Sequence, residues 1–226
     1  MRMATSGETA VRKRRPGLMV VIVTLMFVGI AFVTCGTSAQ PGASIRIVAS
    51  SLAPGERKLT ITTQSLYAKD DPWKAYLAGE SVCPGGERID LPALQQAETV
   101  ACLVNFARKR RGLQPLIIQA SLNGASVKKA KAIVNCQTFA HNPCGRHWMS
   151  SVRSTGYAGL VGENLYVAAG RWGAPRVAID AWLNSKSHRE NLFARRWREQ
   201  GIAVLPNESF GGYRNVALWV SVLGHR

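Results

Sequence analysis

The stretch GIAVLPNESFGGYRNVALWVSVLG, Gly201–Gly224, decides the fold class. Gly201–Pro206 and Asn215–Gly224 are rich in Val, Ile, Leu and Trp, and Asn207–Tyr213 between them collects turn formers, so the pattern predicts an antiparallel hairpin with apolar faces. What precedes it is helical. Leu91, Leu94, Ala97, Ala101 and Val104 recur at helical spacing with Cys102 on the flank, and Gly112 stops that helix after Arg110. A second helix is predicted from Ser121, as its cap, to about Asn135. A third covers about Arg146 to Ser154 and ends at Gly156, and a fourth starts with Pro175 in its first turn and continues past Trp182. Helices followed by closing strands argue for a layered α+β domain and against a doubly wound βαβ fold. About 145 residues, Ser81 to Arg226, suffice for one packed core. No internal repeat is present. Residues 44–66 alternate weakly around APGE, the pattern of a short hairpin or an extended tether.

The start of the chain carries an export signal. VRKRRPG supplies four positive charges, and Leu18 to Val33 is then apolar except for Thr24 and Gly29. Sixteen apolar residues lie between the length of a signal-peptide core and that of a spanning helix. Thr37 and Ala39 place small residues where a signal peptidase inspects, so cleavage after Ala39 is the expectation and an uncleaved anchor the alternative. The expected organisation is a signal peptide or membrane anchor over 1–39, a tether over 40–80 and a compact domain over 81–226.

Residues 1–39 contain five Lys or Arg and one Glu, so the net charge of +16 becomes 16 − 5 + 1 = +12 without them. A charge of this sign favours anionic surroundings: wall polymers or acidic lipid head groups. ARKRRG (107–112) and ARRWRE (194–199) carry much of it and read as solvated helix ends, where cations suit the carboxyl-terminal dipole. No nucleic-acid partner is expected, because no stacking aromatics alternate with these charges and no binding module is recognisable.

Four cysteines follow Ala39: Cys83, Cys102, Cys136 and Cys144. An even number in an exported chain reads as disulfides, and the absence of a Cys-x-x-Cys pair argues against structural zinc. Of three possible pairings the local ones, Cys83 with Cys102 and Cys136 with Cys144, close short loops and are expected.

Five pieces, ACLVNFARKRRGLQPL, FAHNPCGR, TGYAGLVGENLY, APRVAIDAWLNSKSHRENLF and QGIAV, occur in the order seen in the CAP superfamily, which joins cysteine-rich secretory proteins, antigen 5 and plant pathogenesis-related proteins. The chain resembles the secreted bacterial branch of that family from about Cys83 to Gly224. The resemblance implies a three-layer α-β-α sandwich with a surface cleft holding two histidines and two acidic residues. By motif FAH supplies His141, GEN supplies Glu163 and SHR supplies His188, while the second acidic position falls on Ser185, three residues after Trp182. Two imidazoles and a carboxylate are a donor set for zinc or another divalent cation with a position left for water. The candidate metal ligands are therefore His141, His188 and Glu163, and the candidate cleft adds Ser185 and Asn164.

Neighbouring residues have plainer readings. His147 is expected in the first turn of the third helix, Asn164 and Arg189 as loop-holding hydrogen bonders, and Tyr166 as lining the cleft or packing beneath it. Trp182 and Trp219 are expected in the core, Glu190 on the surface and His225 in a disordered end. With one carboxylate missing, an extracellular binding or interaction module engaging an anionic envelope polymer, a lipid or a protein ranks above a metal-dependent hydrolase. A membrane is expected as a partner only with the leading segment uncleaved.

Overall fold

The computed structural model describes residues 70–226, together with the backbone of two strands, β1 (Arg46–Ala49) and β2 (Leu59–Thr62). The expected export segment over 1–39 lies outside the described residues. The remaining elements are α1 (Ala93–Arg110), β3 (Ile117–Ile118), α2 (Ala120–Asn135), α3 (Ser150–Arg153), β4 (Leu160–Ala169), α4 (Pro175–Asn184), α5 (Lys186–Leu192), β5 (Glu199–Phe210) and β6 (Tyr213–His225). One sheet of order β2-β1-β4-β6-β5-β3 results, antiparallel except where β3 runs parallel to β5. The weakly alternating segment thus contributes a hairpin, with β1 pairing against β4. Among the described residues no helix is long and apolar enough to cross a membrane.

The central strands are apolar on both sides, and side-chain alternation deals them to two helical layers. Tyr166 and Ala168 of β4, Ile202 and Val204 of β5 and Trp219 of β6 pack in one core with α1, α4 and α5. Leu165 and Val167 of β4 and Leu218, Val220 and Val222 of β6 pack in the other with Leu122 and Ile133 of α2 and Val152 of α3. This is the three-layer α-β-α sandwich. Trp182 and Trp219 are fully buried, as expected, and Tyr166 packs beneath the surface with its hydroxyl donating to the Trp172 carbonyl at 2.8 Å. Gly201 lets α2 lie on β5, since a Cβ there would overlap the Leu122 backbone. Ser126 fastens the same crossing through a 2.9 Å bond to the Gly201 carbonyl.

Several local expectations are corrected. The inward stripe of α1 runs through Val100, Leu103, Val104 and Ala107, leaving Leu94 68% exposed. Gln119, not Ser121, precedes α2, and its side chain makes no capping bond. The third helix shrinks to Ser150–Arg153, because the chain enters it from Cys144 and Gly145 at positive φ and the Trp148 carbonyl turns inward to a lysine. His147 therefore precedes that helix, its Nδ1 accepting the Met149 N–H at 3.2 Å. A separate α5 follows α4 after an extended Ser185. The closing strands reach further than the apolar runs: β5 continues through register shifts to Phe210, and the turn is Gly211–Gly212. His225 is not disordered but pairs with Leu160 in the sheet. β4, which carries the GEN residues, had no periodic signal of its own because both of its faces are buried over its second half.

The basic clusters also differ from solvated helix ends at one position. Arg108 is completely buried. Its Nε donates to the Gln114 carbonyl at 3.0 Å, Nη1 to those of Leu192 and Ala194 at 2.6 and 3.2 Å, and Nη2 to that of Trp197 at 3.5 Å. Burial, reinforced by the charge of Arg198, pushes the guanidinium down to about 10, so it remains charged at neutral pH. One side chain thereby joins the end of α1 to the loop after α5.

Arg226 closes β6 against β5. Its Nη2 reaches Glu199 Oε1 at 2.6 Å, and Tyr157 donates to Oε2 at 2.5 Å. The Arg226 guanidinium holds the Glu199 carboxyl below its ordinary range, overcoming burial, which pushes it up. A lowered folded pKa means stability that is present above the unfolded glutamate range, near about pH 4.3, and lost as pH falls through the folded value. Urea denaturation of wild type and Glu199→Gln between about pH 6 and pH 3 should therefore show the wild-type advantage shrinking with acidification. A constant difference across that range would contradict the assignment.

Candidate functional site

Three elements meet around the carboxylate of Glu163. β4 supplies Glu163, the loop closed by Cys136–Cys144 supplies His141, and α2 supplies Lys129. Both expected disulfides are present, Cys83–Cys102 and Cys136–Cys144, with Cα atoms 5.7 and 5.5 Å apart. The second crosses only eight positions, worth about 2 to 3 kcal/mol in the chain-entropy picture, and it clasps a segment that lacks a long helix.

His141 Nδ1 lies 2.7 Å from Glu163 Oε1, and Lys129 Nζ lies 3.2 Å from Glu163 Oε2. The carboxylate and ammonium side chains are only 3% and 2% exposed, while the imidazole is 22% exposed. Lys129 directs its remaining donors to the carbonyl of His141 and, at 2.8 Å, to that of Trp148. All three N–H bonds of the ammonium are thus matched, the condition under which a buried charge is tolerated. A carboxylate paired with Lys129 accepts, so His141 carries a proton on Nδ1, and in the neutral imidazole Nε2 is then the acceptor.

The other side of β4 organises His188. Successive strand residues face opposite layers, so Asn164 points away from Glu163, toward α5. Its Nδ2 donates to the His188 carbonyl at 3.1 Å, and its Oδ1 accepts from Asn191 at 2.9 Å. Asn191 in turn accepts the Trp197 indole N–H at 2.9 Å. Gly162 makes room for this arrangement, since a Cβ there would overlap Asn191 Oδ1. His188, 3% exposed, has Nδ1 2.9 Å from Ser185 Oγ. Arg189 donates to the Leu183 carbonyl at 2.6 Å and lies over the Trp73 ring at 4.3 Å. Glu190 is exposed, 3.9 Å from Lys186.

The residues therefore assemble as a Lys129–Glu163–His141 cluster and a Ser185–His188–Asn164 cluster joined through β4. Among the described residues no three His, Cys, Asp or Glu side chains group as metal donors. The carboxylate expected as third ligand already has a resident cation on one oxygen and an imidazole on the other, so the donor set does not fit a metal held by His141, His188 and Glu163. Sequence reading missed Lys129. Its signal was available, for Leu122, Ser126, Lys129 and Ile133 share one helical face, which places a lysine on the buried stripe of α2. A cavity of about 810 Å³ lies against the Cys83–Cys102 bridge and is lined by Glu80, Arg88, Gln95 and Glu98 among others. None of the cleft residues borders it.

The family model for the cysteine-rich secretory protein family, CAP, matches residues 102–222, more than half of the chain. The chain belongs to the CAP family. The uncharacterized protein YkwD of Bacillus subtilis (strain 168) is 28% identical over 109 residues, 47% of this chain and 41% of that protein, so this chain spans less than half of that relative's length. An outer surface protein of Borrelia burgdorferi superposes with a TM-score of 0.52 at 22% identity over 60% of this chain and 96% of that one. An extracellular protein containing a SCP domain from Bacillus anthracis gives a TM-score of 0.49 at 20% identity, over 59% of this chain and 41% of that one. The matched range includes His141, Glu163, Ser185 and His188.

Lys129→Met should cost about 3 to 5 kcal/mol in urea denaturation, because it leaves the Glu163 charge buried and unpaired. Adding Glu163→Gln should recover a large part of that loss. Additive losses in the double variant would show that the two groups do not act as a pair.

Proposed function

We propose that this CAP domain is exported to the cell surface or the extracellular space and acts as a binding module, with the part-exposed His141 as its recognition group. The observation that carries this reading is the double engagement of Glu163, which has Lys129 on Oε2 and His141 on Oε1. A carboxylate held this way orients an imidazole and does not serve as a free general base. The Nε2 acceptor of His141 suits a hydroxyl or amide donor, such as those of an envelope polymer, a lipid head group or a protein side chain. Two disulfides, a basic and then apolar leading segment, and a structural relative described as an outer surface protein support export. Zinc or another divalent cation has no step in this reading.

Hydrolysis has one observation in its favour, the 2.9 Å approach of Ser185 Oγ to His188 Nδ1, a hydroxyl beside a potential base. The two readings separate in one experiment. Secreted wild type should be retained on purified envelope material, retention should fall about tenfold or more in a His141→Ala variant that keeps its circular dichroism spectrum, and p-nitrophenyl acetate should be turned over no faster than by buffer. Ester turnover abolished by Ser185→Ala would establish the hydrolase instead. Retention unchanged in the His141→Ala variant would remove His141 from binding.

A further inference from the structure

We propose a second binding surface, distinct from the cleft, that takes a phosphate-bearing polyanionic polymer on the face formed by the end of α1 and the loop after α5. Lys109, Arg110 and Arg111 leave α1, and Arg195, Arg196 and Arg198 occupy the loop; all six are exposed. The buried Arg108 brings the two groups together, since its guanidinium holds carbonyls of Leu192, Ala194 and Trp197. These six cations equal half of the +12 carried by residues 40–226. Among the described residues no carboxylate pairs with any of them. Helix dipoles favour a cation or two at each carboxyl terminus, and a longer run of exposed like charges suits an anionic partner.

The aromatic residues of this face say how the partner is held. Trp73, Tyr76 and Phe193 pack with centroids 5.4 to 6.2 Å apart. The Arg111 guanidinium lies 5.9 Å from the Tyr76 ring and 5.3 Å from that of Phe193, and Arg196 lies 4.4 Å from that of Trp197. Ring faces hold these planar heads without engaging their N–H edges, whose fork matches phosphate oxygens. The same stacking argues for a polymer in water over a bilayer. The rings are half-buried under guanidinium groups and offer no apolar wedge to acyl chains. A polymer with a charge on each repeat engages several arginines at once, and the release of its counterions makes binding steeply salt-dependent.

The test uses inorganic polyphosphate as probe, titrated against the exported domain at several salt concentrations. Wild type should bind with strong salt dependence. The Arg110→Ala, Arg111→Ala, Arg195→Ala, Arg196→Ala variant should bind about tenfold or more weakly and with a shallower salt slope. A control that loses the same charge elsewhere, at Lys131, Arg153, Arg171 and Arg214, should bind within about twofold of wild type, because screening confines each charge to its own neighbourhood. If the quadruple variant fails to fold, its two adjacent pairs are measured separately, each with a smaller loss in the same direction. Equal weakening in patch and control variants would reduce the effect to net charge and overturn the site. Binding to phosphatidylglycerol vesicles without binding to polyphosphate would overturn the polymer. His141→Ala should leave polyphosphate binding unchanged, so failure of this surface and failure of the cleft reading are told apart.

Discussion

A lysine ammonium inside an apolar helix stripe is the constraint around which this domain is arranged. Lys129 lies in the layer of Leu122, Ile133 and Val152, where an unmatched charge would be strongly unfavourable. It is tolerated because a carboxylate and two backbone carbonyls surround it. Each partner then has a fixed place: Glu163 on β4, the His141 carbonyl within the Cys136–Cys144 loop and the Trp148 carbonyl just beyond it. The disulfide limits how far that loop can wander, and the lysine selects one conformation within the limit. The orientation of the His141 imidazole follows from the Glu163 carboxylate, and so inherits its precision from a charge on another helix.

Arg108 performs a comparable task on the opposite layer. Both residues are cations on helical stripes that read from sequence as apolar positions interrupted by charge, and both bind backbone carbonyls that regular secondary structure leaves unpaired. The two differ in what they support. Lys129 orders the His141 loop against β4, whereas Arg108 joins two exposed basic segments. Glu163 and Asn164, adjacent on β4, link the layers by facing opposite ways, so that the His141 loop and α5 are positioned from one strand.

Fold class, both disulfides and the family were legible in the sequence because each has a local or ordered signature: periodic helices before a closing hairpin, cysteines in short loops, and five pieces in one order. The rest depended on tertiary partners. Leu94 has the right spacing for an apolar stripe and the wrong phase, since periodicity alone does not say which side faces the sheet. The third helix has ordinary propensity but loses the Trp148 carbonyl of its first turn to Lys129. β4 escapes notice because a strand buried on both faces has no alternation to read. Arg108 and Lys129 were legible as phase anomalies, yet their meaning required partners 84 to 89 positions away for the one and a carboxylate on β4 for the other.

The proposed role of His141 depends on the cation beside Glu163 being part of the chain. Nitrogen-15 chemical shifts and long-range couplings of the histidine rings, recorded near neutral pH with and without one equivalent of zinc, test this most directly. His141 should be the Nδ1–H tautomer, with Nε2 carrying the shift of an unprotonated acceptor, and both His141 and His188 should be unchanged by zinc. Stoichiometric displacement of both Nε2 resonances by zinc, with loss of the Lys129 ammonium signal, would show that a metal takes the place assigned to lysine.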